Sequence, residues 1–200
     1  MYQKLIPGTN TPYGDLKGGA FALFQPMIKV AEGLTLAQVC SITGLEGSTI
    51  QNWVKRGFIA HPVKKRYFER QLSRILILSA LRDSMQLDSI VALLKYINGD
   101  VEDDSDDNIS EPELFDYFCN IVRKIDIEKG ISFSEIDLYI NEEIKDFKGP
   151  FSDSKQRVYN TLKTMILGYI TGRYKQETDF FYNSVLNWNL LFVCAHNKKL

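Results

Sequence analysis

Apolar positions recur at helical spacing along most of the chain. Leu36, Val39 and Cys40 stand at i, i+3 and i+4 behind Thr35, whose hydroxyl suits an N-cap, so a helix is predicted over about Leu36–Thr43 and ended by Gly44. A very short turn then leads to a second helix, about Ser48–Arg56, closed by Gly57. After HPVKKRYF, a third helix is predicted over about Glu69–Asp83, with Leu72, Ile75, Leu76 and Leu81 inward. A fourth follows over about Leu87–Ile97, with Ile90, Leu93, Leu94 and Ile97 at helical spacing. Further on, ELFDYFCNIVRKI, FSEIDLYINEEIKDF and SKQRVYNTLKTMILGYI repeat apolar residues every 3.6 positions and are separated by the turn signals KGIS and KGPFSD. The last stretch, ETDFFYNSVLNWNLLFVCAHNKKL, combines helical length with strand-like aromatic and β-branched content; it is read as a helix. The fold class is therefore all-α.

One segment breaks the pattern. GDVEDDSDDNISEP, Gly99 to Pro112, has seven acids and no base, which suits an exposed linker. This divides the chain into an N-terminal segment (1–33) whose apolar patch Phe21–Ile28 packs on the core, a helical unit (34–98), the acidic linker (99–112) and a helical C-terminal unit (113–200). A calcium loop would place ligands at Asp100, Glu102, Asp104 and Glu111, but its sixth position, which requires glycine, is Ser105. The solvated linker is the preferred reading.

Charge sharpens that division. The chain as a whole carries a formal −1, yet residues 34–98 hold nine basic side chains against four acidic ones, and the residues after Asn98 hold twelve against nineteen. The 44% hydrophobic and 24% charged composition is ordinary for a globular protein. Runs such as Ile75–Leu78 and Leu190–Ala195 fall short of the ~20 residues that span a bilayer, so no membrane helix is expected. The start lacks a secretory pattern, and three well-separated cysteines, Cys40, Cys119 and Cys194, suit a reduced cytoplasm as structural residues. Nothing has metal-ligand spacing, no cofactor motif occurs, and His61 and His196 lack the neighbours of a catalytic base; an enzyme is not expected.

Two helices joined by a short glycine-containing turn form the pattern in which the second helix offers side chains to the DNA major groove. In STIQNWVKR the positions Ile50, Trp53 and Val54 form an inner face, with Trp53 a core anchor, leaving Ser48, Thr49, Gln51, Asn52 and Lys55 outward and Arg56 at the end. These groups suit phosphates and base edges. The run Lys64-Lys65-Arg66, with the Tyr67 hydroxyl, would flank that helix on a loop and neutralise phosphates. Arg70, Arg74 and Arg82 read as surface cations paired with nearby acids at little gain.

The run LTLAQVCSITGLEGSTIQNWVKRGFI, followed by KKRYFERQLSRILILSALRDSMQLDSIVALL, resembles the MerR-type winged helix-turn-helix domain over about residues 34–98. RILILSALRDSMQLDSIVALLKYIN is similar to an uncharacterised bacterial family of MerR-like proteins carried as a domain of unknown function. The resemblance implies that Thr49, Gln51, Asn52 and Lys55 face DNA, that Arg66 and Tyr67 form the wing's R-Y pair, and that Trp53, Gly57 and Ile59 are structural. Gln51 and Asn52 stand where typical members carry arginine and tyrosine, and no long helix is expected directly after the fourth, so dimerisation by the typical route is not implied.

The expected function is a cytoplasmic, sequence-specific transcriptional regulator that binds double-stranded DNA as a homodimer. Its helical C-terminal unit would hold a small-molecule effector or join protomers, with Phe180, Phe181, Tyr182, Trp188 and Phe192 suited to a core first and a ligand pocket second. The competing reading is a protein-interaction adaptor that keeps the helix-turn-helix fold without binding DNA. In either, the acidic segment is able to lie across Lys64–Arg66 and mask it.

Overall fold

The computed structural model describes residues 4–14 and 18–196, with side chains at all of these except 128 and 187–196. The side chains of Trp188, Phe192, Cys194 and His196 thus lie outside the described residues. A 3-10 turn, Ala20–Leu23, leads into α1 (Gln25–Val30), α2 (Leu36–Thr43), α3 (Gly47–Lys55), α4 (Glu69–Leu81), α5 (Leu87–Asn98), α6 (Glu111–Lys124), α7 (Phe133–Glu143) and α8 (Ser154–His196). Extended backbone pairs among the described residues only at isolated bridges: Leu5 with Pro12, Leu34 with Tyr67, and Val63 with Arg66. The chain is all-helical.

Local chemistry sets the ends of these helices. The Thr35 hydroxyl accepts from the Gln38 amide while the Gln38 side chain accepts from the Thr35 amide, a reciprocal capping box that satisfies two donors at the start of α2. Gly44 ends α2 at φ 70°, the left-handed conformation glycine adopts most cheaply. The turn is braced from outside, because the Asn10 amide donates to the carbonyl of Ile42 at 3.0 Å.

The core centres on α4. Every residue from Gln71 to Leu78 is buried, and a helix apolar nearly all round belongs inside a bundle. It packs against α2, α5, α6 and α8. Buried side chains from Ile6 to Ile170 form one continuous cluster, to which the N-terminal segment contributes Ile6, Tyr13, Phe21, Phe24 and Ile28. Phe21 meets Phe115 of α6 edge-on, and the Tyr13 hydroxyl donates to the carbonyl of Cys119 at 3.0 Å.

This continuity corrects the reading of residues 99–112 as a spacer between two cores. Asn98 is buried; its side-chain nitrogen donates to the carbonyl of Ile109 at 2.7 Å and its oxygen accepts from the amides of Asn108 and Ile109. The two ends of the acidic stretch are thereby clasped, leaving 99–107 as a closed surface loop of the Ω type. Glu111, counted among the linker's solvated acids, is the first residue of α6 and only 1% exposed, paired with the Arg74 guanidinium. Arg74 is correspondingly no surface cation: it is 3% exposed, and its Nε donates to the carbonyl of Phe58 at 2.7 Å. Spacing along α4 could not reveal this, because the partner comes from 37 positions later in the chain.

The chain's end also differs from expectation. SKQRVYNTLKTMILGYI and the stretch after it make one 43-residue helix, α8. Its first half packs on α4, α5, α6 and α7. Beyond Gly172 the described side chains are exposed, and Phe180, Phe181 and Tyr182 are 65%, 64% and 62% accessible rather than part of the core. Among the described residues no helix is long and apolar enough to cross a membrane.

Candidate nucleic-acid interface

The sequence of α3 divides into two faces. Ile50 and Trp53 are fully or almost fully buried, Val54 is half-buried, and Ser48, Gln51, Asn52 and Lys55 are exposed, with Thr49 half-buried at the boundary. The helix thus presents hydroxyl, amide and ammonium groups together on one side. Arg56 follows as C-cap with its guanidinium 4.2 Å from the centre of the Phe58 ring and 3.2 Å from the Asp88 carboxylate. These contacts leave it half-exposed but restrained.

After α3, residues 58–61 are tied to α4 by Arg74, which takes the Phe58 carbonyl, and by the Gln71 side chain, which donates to the His61 carbonyl at 3.3 Å. A tight hairpin follows. Val63 and Arg66 exchange two backbone hydrogen bonds of 3.0 and 2.9 Å, and the two residues between them, Lys64 and Lys65, have φ of 51° and 62°. Left-handed values at both central positions are what a two-residue primed hairpin turn requires, and Asn-Gly is the pair that adopts them with least strain. Two lysines there cost about 1–2 kcal/mol each relative to an unstrained conformation. Both are exposed.

Arg66 is half-buried, with Nη1 donating to the carbonyl of Gly33 at 3.4 Å. Tyr67 is not the surface hydroxyl that its sequence position suggests. It is 4% exposed, exchanges two 2.8 Å backbone hydrogen bonds with Leu34, and burial pushes its phenol pKa up. Alternation along the hairpin turns Tyr67 inward, so its role is to anchor the hairpin against the strand-like residue before α2. Nor does the acidic loop cross Lys64–Arg66: it lies on His61 and Arg70, where Glu102 Oε1 is 2.9 Å from His61 Nδ1 and Arg70 Nη2 reaches the carbonyls of Asp100 and Asp103. Sequence reasoning paired Arg70 with nearby acids but did not join it and His61 to this loop; the signal for that was the charge opposition between the two segments.

Residues 28–118 match a family described as a domain of unknown function, DUF1836. The DUF1836 match takes in α2 to α5 and the acidic loop and stops inside α6, so it crosses the point where composition alone divides the chain. The chain is also 32% identical over 111 residues to the uncharacterised protein YkrK of Bacillus subtilis (strain 168), across 54% of this chain and 48% of YkrK. It thus spans about half the length of that curated relative. No solved structure matches the chain.

Elsewhere the chemistry is sparse. Cys119 is fully buried, which pushes its thiol pKa well up, and Cys40 is half-buried on α2. Among the described residues no cluster of three or more His, Cys, Asp or Glu has the geometry to hold a metal ion. An open groove of about 880 Å³ runs between α1 and the start of α4, its lining including apolar Ala22, Pro26, Ile28 and Phe68 and charged Lys29 and Arg70.

Proposed function

We propose that the chain is a sequence-specific, DNA-binding regulator of transcription built on a MerR-like winged helix-turn-helix. In it α3 lies in the major groove through Ser48, Thr49, Gln51, Asn52 and Lys55, and the 63–66 hairpin is the wing. The observation that carries the reading is the hairpin tip. Lysine at two consecutive left-handed positions is disfavoured by the backbone, so the fold gives up stability to hold two ammonium groups at the end of a rigid arm; phosphates are the partners that reward this. Arg66 is a restrained cation at its flank and Arg56 another at the end of α3, and Tyr67 holds the hairpin rather than touching DNA.

The protein acts in the cytoplasm as a homodimer reading a two-fold site, since one recognition helix alone gains little specificity. A small-molecule effector, expected in the C-terminal half, finds a more suitable apolar wall in the groove between α1 and α4. The reading is tested by fluorescence anisotropy with a random-sequence duplex across salt concentration, comparing the chain with Lys64→Asn/Lys65→Gly. That variant removes two charges while relieving the turn, so loss of binding cannot come from loss of fold. Micromolar binding whose salt slope falls by about 2 in the variant supports the proposal. No binding at low salt favours a protein-interaction adaptor on the same fold, a reading to which the exposed Phe180, Phe181 and Tyr182 also lend a contact surface.

A further inference from the structure

Arg70 stands one helical turn before Arg74 and four residues after Arg66. Its Nη2 is surrounded by oxygens of the acidic loop: the carbonyls of Asp100 at 3.2 Å and Asp103 at 2.8 Å, and Oδ1 of Asp107 at 3.4 Å. Three acceptors share one nitrogen, while Nε of the same guanidinium is buried with no partner. A phosphate or carboxylate placed squarely on a guanidinium takes two parallel N–H donors, so this occupancy leaves half of the fork unused. The same loop covers a second donor group. Glu102 Oε1 accepts from the His61 backbone amide at 3.1 Å and lies against the His61 ring, immediately before the hairpin.

Most of these contacts are open to water: those of Arg70 with the Asp100 and Asp103 carbonyls are exposed, and the one with Asp107 is part-buried. The His61 and Glu102 side chains are 75% and 54% exposed, and ion pairs so open to water hold weakly. The anchoring of the loop is elsewhere, in the Asn98 clasp on Asn108 and Ile109, which fixes where α5 ends and α6 begins without involving residues 100–107. The exposed part of the loop, up to residue 106, is therefore able to leave Arg70 and His61 without disturbing the core.

We infer that Arg70 and His61 form a phosphate-binding position beside the hairpin, and that the acidic loop is its internal occupant, displaced when a phosphate group binds. The chemistry is that of a phosphate oxyanion on a guanidinium fork and a backbone amide. That the phosphate belongs to a DNA backbone rests on the function proposed above, whereas the position itself does not.

Amide hydrogen exchange across residues 100–107 of the full chain tests this, with inorganic pyrophosphate against chloride at equal ionic strength, and separately with a random-sequence duplex. Pyrophosphate is expected to speed exchange in the loop several-fold in the native chain and to have no effect in Arg70→Gln, whose loop already exchanges faster. Glu102→Gln, which leaves Arg70 in place, is expected to bind pyrophosphate about fivefold more tightly, the change that one weak ion-pair contact represents. Loop exchange unmoved by saturating pyrophosphate, or equal affinity in Glu102→Gln, overturns the inference. Loop opening by pyrophosphate with no duplex binding keeps the phosphate position and removes the DNA reading. Duplex binding with loop exchange unchanged does the reverse.

Discussion

Arg74 and Glu111 face one another with side chains 3% and 0% exposed, one from the centre of α4 and the other from the first turn of α6. Burial pushes the Glu111 carboxyl pKa up against the pull of Arg74, and its Oε2 has no further partner, so the pair is held by geometry more than by solvation. Removing one member strands the other charge in the core. Arg74→Met or Glu111→Leu alone should lower unfolding free energy by about 3–5 kcal/mol in urea, while the double replacement should recover most of the loss. Asp107 behaves differently: burial, only partly offset by Arg70, pushes its pKa up to about 6. A carboxyl whose pKa is raised in the folded state contributes stability below its unfolded value, near pH 4, and loses that contribution as pH rises through about 6. Asp107→Asn should therefore be more stable than the native chain at pH 7.5, with the advantage vanishing toward pH 4. Urea midpoints across that range provide the check.

Helices were legible because their signals are local. Thr35, Gly44 and the i, i+3, i+4 residues of α2 lie within ten positions, and the observed Leu36–Thr43 follows from them directly. The polar face of α3 was legible for the same reason. What lay beyond reach was the partner of each charged residue: whether Arg74 meets water or Glu111, or Arg70 meets water or Asp107, depends on contacts more than thirty positions apart. The N-terminal segment is a further case. Gly8 has φ 73°, and a Cβ there would run into the carbonyl oxygen of Leu76 in α4, so the segment's close seating depends on that position. Gly8→Ala should destabilise the chain by about 2–3 kcal/mol through strain and lost packing, read as a lower melting temperature in calorimetry.

Seven acids in a row of fourteen residues suggested two bodies and a tether. The packing is otherwise, since Phe115, Phe118 and Ile121 of α6 belong to the same cluster as Ile75 and Leu78 of α4. A chain ended at residue 98 should consequently lose cooperative unfolding and bind a hydrophobic dye, even though it retains α2, α3 and the 63–66 hairpin. A sharp urea transition in that fragment would show that residues 1–98 fold alone. The long α8 bears on motion in solution. Tyr174, Lys175 and Gln176 still bond to Ile127 and Asp83, whereas the described side chains after them are exposed; from Glu177 to His196 the helix is, at 1.5 Å per residue, a rod of about 30 Å attached to a body whose radius of gyration is about 16 Å. Rotational drag grows with the cube of length, so this small share of the mass governs tumbling: rotation about the rod's own axis is fast and end-over-end rotation is slow.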